Sequence, residues 1–150
     1  MKKIHLEIHI NADREKVWEI MLSPQTYMEW TTAFHPGSHY RGIWKEGEKM
    51  LFVGPDEESG GEAGMVSIIR KFQKPECVSI EHIGIYKNGI EDTESLDARK
   101  WSPAFENYSF FDKDNGTLLV IDQDINEEYE EMFVGMWNKA LLILKGLCER

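Results

Sequence analysis

The residues best suited to chemistry are His82 and Glu106. His82 lies in Val78-Ser79-Ile80-Glu81-His82-Ile83-Gly84, in period-two phase with Val78 and Ile80. If that face is internal, the imidazole enters an apolar interior, where its neutral form can donate or accept a hydrogen bond to a ligand. The competing reading is a structural histidine satisfied by protein groups. Ile83 and Ile85 fall on the opposite face, so the phase stays open. Glu106 shares a strand face with Tyr108 and Phe110. A carboxylate beside two rings can have its pKa raised and serve as acid or base; at a strand end it would instead be exposed, or paired with Lys or Arg. His82 and Glu106 make a cyclase- or hydrolase-type pair only if both reach one substrate atom in one pocket. Tyr108 suits a cavity wall, since its ring is apolar and its hydroxyl polar.

Other chemistry is poorly supported. His35 and His39 flank Pro36-Gly37, which breaks the helical spacing a metal pair would use, and no third ligand follows. They read as a polar loop at a cavity rim. His5 and His9 share the polar face of a first strand with Glu7. Cys77 and Cys148 form no CxxC and read as reduced thiols of a cytoplasmic protein. No GxSxG, HExxH, phosphate loop or dinucleotide fingerprint occurs, so neither metal nor cofactor is expected.

The chain has 150 residues, 17 Lys+Arg and 27 Asp+Glu, for a net charge of −10. That acidity argues against a nucleic-acid partner, which needs a basic footprint. The charge is uneven: residues 1–75 hold 10 basic and 11 acidic side chains, residues 76–150 hold 7 and 16. Five Trp, seven Phe and five Tyr argue against disorder. A chain this long can bury about 70% of its unfolded surface as one domain without a disulfide. After Lys2-Lys3 the pattern alternates at once, unlike the continuous apolar run of a signal peptide. No segment is long and apolar enough to insert in a membrane.

The elements that must position these residues follow from periodicity. Ile4, Leu6, Ile8 and Ile10 alternate with polar residues, as a half-buried strand does. Asn11 or Asp13 can cap a helix carrying Val17, Trp18, Met21 and Leu22. Pro24 ends it and suits the first turn of a second short helix over about 24–30. Period two then returns, with strands expected near 38–44, 48–54, 63–73, 76–86, 105–112 and 117–125, separated by turn residues. The short breaks imply antiparallel hairpins. From 126 to 149 the apolar residues recur at three- and four-residue steps, giving one long helix with Asn126 as N-cap and four glutamates in its first turns. A seven-stranded antiparallel sheet covered on one face by this helix is an α+β layer arrangement.

That order of elements resembles the helix-grip fold of the START-like, or SRPBCC, superfamily. Within it the chain is similar to the branch named after activators of the ninety-kilodalton heat-shock chaperone ATPase. The resemblance rests on Ala12–Trp18, Tyr27-Met28-Glu29-Trp30, Gly42–Gly47, Glu106-Asn107-Tyr108-Ser109-Phe110, Gly116-Thr117 and Met132–Leu144. It implies a sheet curved around the C-terminal helix, with an apolar cavity between them that binds a small apolar or amphipathic molecule more often than it catalyses a reaction. The chaperone-activating role belongs to larger members with a further domain, so the fold and cavity carry over and that activity does not. Ile90–Pro103 departs from the short hairpin common in the family.

On this reading the ligand-contacting residues are Trp30, Trp44, Phe52, Met65, His82, Tyr108, Phe110, Met132, Met136, Trp137 and Ala140. An enzyme using His82 and Glu106 is the second hypothesis. A chaperone- or stress-linked interaction module using the acidic second half is the third, and a homodimer is left open.

Overall fold

In the computed structural model, which describes residues 1–150, every expected strand and helix is present. The strands are β1 (Lys2–Ile10), β2 (His39–Gly42), β3 (Lys49–Asp56), β4 (Gly61–Gln73), β5 (Cys77–Lys87), β6 (Ile90–Asp92), β7 (Ala104–Lys113) and β8 (Gly116–Ile125). The helices are α1 (Arg14–Leu22), α2 (Pro24–Trp30), α3 (Leu96–Arg99) and α4 (Glu130–Cys148). All strands join one antiparallel sheet in the order β1-β8-β7-β5-β4-β3-β2, with β6 beside β5.

The sheet therefore has eight strands, not seven. The extra one, β6, is only three residues long, too short for a periodic signal. It exists because Asn88 and Gly89 both take positive φ, 48° and 88°, and fold the chain straight back, as a two-residue hairpin turn requires. β5 pairs with β7 only over Cys77–His82, and β6 takes up the same edge over Ile85–Lys87. The segment Ile90–Asp92 thus completes an edge that β7 leaves open.

The last helix also begins later than its periodicity predicts. Asn126 caps a 3₁₀ turn over Glu127–Tyr129, accepting from the Glu128 N–H, and the α-helix proper starts at Glu130. Asp13 caps α1 by accepting from the Lys16 N–H at 2.8 Å. Trp137, Ala140, Leu141, Leu144, Leu147 and Cys148 form the buried stripe of α4. They meet Ile4 and Ile10 of β1, Leu119 and Ile121 of β8, Tyr108 and Phe110 of β7, and Trp18 and Met21 of α1 in one apolar core. Burial also pushes the Cys148 thiol up to about 12, so it stays protonated in this core.

Two register shifts bend β4 against β5, between Val66 and Ser67 and between Ile69 and Lys71. At the first, Ser67 pairs with His82 and Val66 with Gly84, leaving Ile83 as the extra residue. This bulge settles the phase that sequence leaves open. Val78 and Ile80 join the core under α4, whereas Ile83 and Tyr86 pack with Val53 and Val66 in a separate cluster. His82 stays on the helix side. Farther along, Gly64 lets β3 and β4 close up: a Cβ there would lie 1.9 Å from the Phe52 carbonyl oxygen.

On the outer face, His5 is bracketed by Asp122 at 2.6 Å from Nδ1 and Glu7 at 2.7 Å from Nε2. These hydrogen bonds, that to Glu7 foremost, raise its pKa above the ordinary 6.5.

Three outcomes follow from this geometry. Gly64→Ala costs about 1–3 kcal/mol in denaturant melts, because the overpacked side chain must push β3 and β4 apart. Gly135→Ala, on an open face of α4 with nothing within 4 Å of the new Cβ, has the opposite sign and stabilises by about 1 kcal/mol. The His5 ring titrates above 6.5 by NMR. Its contribution to stability is complete below the unfolded value and is lost as pH rises through the folded one. His5→Gln removes that pH dependence.

Candidate functional site

Between the sheet and the first half of α4 lies a cavity of about 230 Å³. Its floor is laid by alternate residues of the central strands: Phe52 of β3, Met65 of β4, His82 of β5, Ala104 and Glu106 of β7, and Gln123 and Ile125 of β8. Its roof is Phe133 and Trp137, one turn apart on α4. Tyr27 and Trp30 of α2, with Phe34 just beyond, close one side. Trp101, from the segment after α3, closes the other and stacks on Tyr129 at 5.2 Å.

The rings are locked to each other. Trp30 stacks on Trp137 at 5.8 Å, and Phe34 meets Trp137 edge-on at 5.0 Å. Trp30 Nε1 donates to the Met21 carbonyl at 2.9 Å, which ties α2 back to α1. This wall is pre-formed, as small-molecule sites usually are.

One polar network runs through the floor. Trp137 Nε1 donates to Gln123 Oε1 at 2.6 Å. The Gln123 amide nitrogen then faces Glu106 Oε1 at 3.4 Å. His82 Nε2 lies 3.0 Å from that same oxygen, and the Tyr108 hydroxyl donates to Glu106 Oε2. On the far side of the imidazole, Ser67 Oγ is 2.7 Å from Nδ1. Ser67 is fully buried, and its hydroxyl has no other acceptor. In the neutral ring it donates to Nδ1, and Nε2 carries the proton and donates to Glu106. Register explains the convergence. Glu106 pairs with Gln123 across β7–β8, and His82 pairs with Ser67 across β4–β5. Glu106 is two residues from Ala104, the partner of His82.

The Glu106 side chain is 16% exposed and that of His82 8%. Neither meets a Lys or Arg, so the carboxylate is not the exposed or Lys/Arg-paired strand-end group that sequence also allowed. Burial, and next the Glu106 charge, hold the Tyr108 phenol well above its ordinary pKa. The same two causes, in the same order, raise Tyr27. Tyr108 thus remains a donor at any working pH.

Of the residues expected to contact ligand, Trp30, Phe52, Met65, His82 and Trp137 line the cavity. The other six do not. Tyr108 sits behind Glu106 and reaches the cavity only through that carboxylate. Phe110 packs on Trp18 at 5.2 Å, deeper in the core. Trp44 stacks on Phe72 at 6.0 Å, and its Nε1 is buried without a partner. Ala140 is core, Met136 is half-buried and Met132 is 49% exposed. Helical phase explains the methionines: the inward stripe runs through Phe133, Trp137, Ala140 and Leu144, and Met132 and Met136 fall beside it.

Sequence reasoning passed over Tyr27, Phe34, Trp101, Gln123, Asp124 and Phe133. The i, i+4 relation of Phe133 to Trp137 was available as a signal; Trp101 lies in irregular chain and had none. Outside the cavity, His35 and His39 face separate carboxylates, Glu57 at 3.6 Å and Glu62 at 3.4 Å. No three His, Cys, Asp or Glu side chains converge on a metal position.

No family model matches the chain, and no curated protein matches it in sequence. Solved structures do match it in shape. A protein from Chromobacterium violaceum is 20% identical, with 99% of this chain and 97% of that one covered at a TM-score of 0.70. An AHSA1-like protein from Aeromonas hydrophila is 17% identical over 96% and 90% of the two chains, at 0.67. The Aha1 dimer from Colwellia psychrerythraea is 17% identical over 99% and 97%, at 0.70. The fold is therefore the helix-grip arrangement shared with AHSA1-like proteins.

The network makes a direct prediction. Long-range proton–nitrogen NMR shows His82 protonated on Nε2, with Nδ1 as acceptor. Ser67→Ala removes the bond that selects this tautomer and costs about 1–2 kcal/mol.

Proposed function

We propose that this protein binds a small apolar or amphipathic molecule in the cavity between the sheet and α4. The observation that carries the reading is the pre-formed cavity of about 230 Å³, walled by rings and floored by one polar cluster. Few convergent polar groups in an apolar wall is the usual make-up of a small-molecule site: rings supply burial, and the polar groups fix orientation. The volume lies below the range of about 300–1,000 Å³ typical of drug-sized sites. A single ring with a short chain suits it better than a long acyl chain.

A second reading has one specific observation in its favour, the 3.0 Å contact between His82 Nε2 and Glu106 Oε1 at the cavity floor. An acid–base pair beside a bound molecule can move a proton within it, as a cyclase does. The hydrolase version is weaker. Ser67, the only hydroxyl on the imidazole, is fully buried on the far side of the ring and does not line the cavity. It orients His82 and has no path to a substrate carbonyl.

Titration with 2-phenylethanol tests the binding reading. The expected result is saturable quenching of tryptophan fluorescence, since Trp30, Trp101 and Trp137 all line the cavity. Ala104→Phe, which fills the floor from a position now 3% exposed, abolishes the saturable phase while the melting transition stays cooperative. Equal quenching in the filled variant sinks the cavity as the binding site.

A further inference from the structure

The charge inside the cavity narrows what can occupy it. Two carboxylates line it, Glu106 and Asp124, and no Lys or Arg does. Asp124 is already answered: Lys3 Nζ lies 3.1 Å from it, and the Phe105 N–H donates to it at 2.9 Å. Glu106 is not. Its three donors are a phenol, a primary amide and the Nε2–H of an imidazole whose other nitrogen accepts from Ser67. None of these groups carries a permanent positive charge, so a mostly buried carboxylate faces the cavity with no Lys or Arg against it. Such a charge is costly unless a cation reaches it. The lining around it is the type of surface that favours a cation. Trp30, Phe34, Phe52, Trp101, Phe133 and Trp137 supply aromatic rings, and ring faces attract ammonium groups while their apolar edges pack alkyl and aryl carbon.

We propose that the occupant is a small organic cation: an ammonium group on an apolar body about one aromatic ring in size, seated with its nitrogen toward Glu106. This rests on the cavity being the ligand site and adds the charge of the ligand. An anionic ligand would meet two carboxylates and no Lys or Arg. A neutral one would leave Glu106 as it is. An ammonium gains a charge-assisted hydrogen bond to the carboxylate and a ring wall at once. Asp124, held by Lys3, contributes only a field of the same sign.

Three probes of matched size test the charge directly: phenethylammonium, 2-phenylethanol and phenylacetate, titrated by calorimetry at pH 7 and tracked by the Trp137 indole N–H in NMR. The ammonium is expected to bind at least about tenfold more tightly than the alcohol, and the carboxylate more weakly than either. Glu106→Gln should bring the ammonium to within about threefold of the alcohol when both are titrated on that variant. If the alcohol binds as well as the ammonium, the charge assignment is overturned and the cavity reading survives. If no probe saturates, both fall. Should Glu106→Gln fail to fold, the three-probe order on the unaltered protein decides alone.

Discussion

Glu106 sits near the centre of an eight-stranded sheet, on the face that α4 covers, where only 16% of its side chain is exposed. Its charge has to be met by donors brought from elsewhere in the chain, and each donor constrains the element that carries it. Tyr108 is two residues along the same strand, and its hydroxyl donates to the carboxylate. Gln123 comes from β8, and its amide is oriented by Trp137 of α4, which joins the helix to the sheet by polar contact as well as by packing. His82 comes from β5 and is oriented by Ser67 of β4. Four strands and the long helix thus meet at one carboxylate. Partly satisfied polar networks are worse than an apolar core. This one has a partner for every group and so specifies a single register for β4, β5, β7 and β8.

The same network accounts for the bulge at Ile83. Without it, strict alternation would carry the helix-side phase of Val78 and Ile80 through His82 to Gly84 and Tyr86. With it, Tyr86 turns to the other face, where Arg41 lies 5.5 Å above its ring, and His82 is the last residue of β5 in its original phase. The side chain that closes the polar network is thus the one at which the sheet changes face. Bulges are over-represented where a side chain must be re-aimed.

What sequence revealed, and what it concealed, divides along physical lines. Strands and helices were legible wherever burial repeats, as in β1 with Ile4, Leu6, Ile8 and Ile10, or in α1 with Val17, Trp18, Met21 and Leu22. Strand boundaries moved by a residue or two, since end residues such as Lys2 or Lys113 pair without being buried, and the last α-helix starts four residues late behind a 3₁₀ turn. The His82–Glu106 contact was legible only as a condition, because it needs β5 and β7 paired in one register and a bulge in the right place. Both are long-range facts with no local signal. Trp101 was invisible for another reason: it stands in irregular chain after a four-residue helix, and its place in the cavity wall is set by where β6 ends and β7 begins. Tyr108 and Met132 show the converse failure. Their types suit a pocket, but Tyr108 spends its hydroxyl on Glu106, and Met132 lies outside the helical stripe.

The net charge of −10 changes meaning once its side chains are placed. Most of the acidic groups in the second half are answered locally. Glu130 pairs with Lys2, Asp124 with Lys3 and Glu91 with Lys49. Asp92 is held below the usual carboxylate range, chiefly by the Ser95 hydroxyl and then by backbone N–H groups of the turn. Exposed pairs of this kind contribute little to stability, and Glu76, Glu94, Asp114, Glu127, Glu128 and Glu131 remain exposed outside them. Glu106 differs from all of them in being buried, open to a cavity and met by no Lys or Arg. A buried carboxylate without a permanent counter-charge is a local departure in an otherwise consistent fold, and such departures are where function is expected to lie. The excess charge that composition spread over half the chain thus contracts, for the purpose of recognition, to one carboxylate at the floor of an aromatic box.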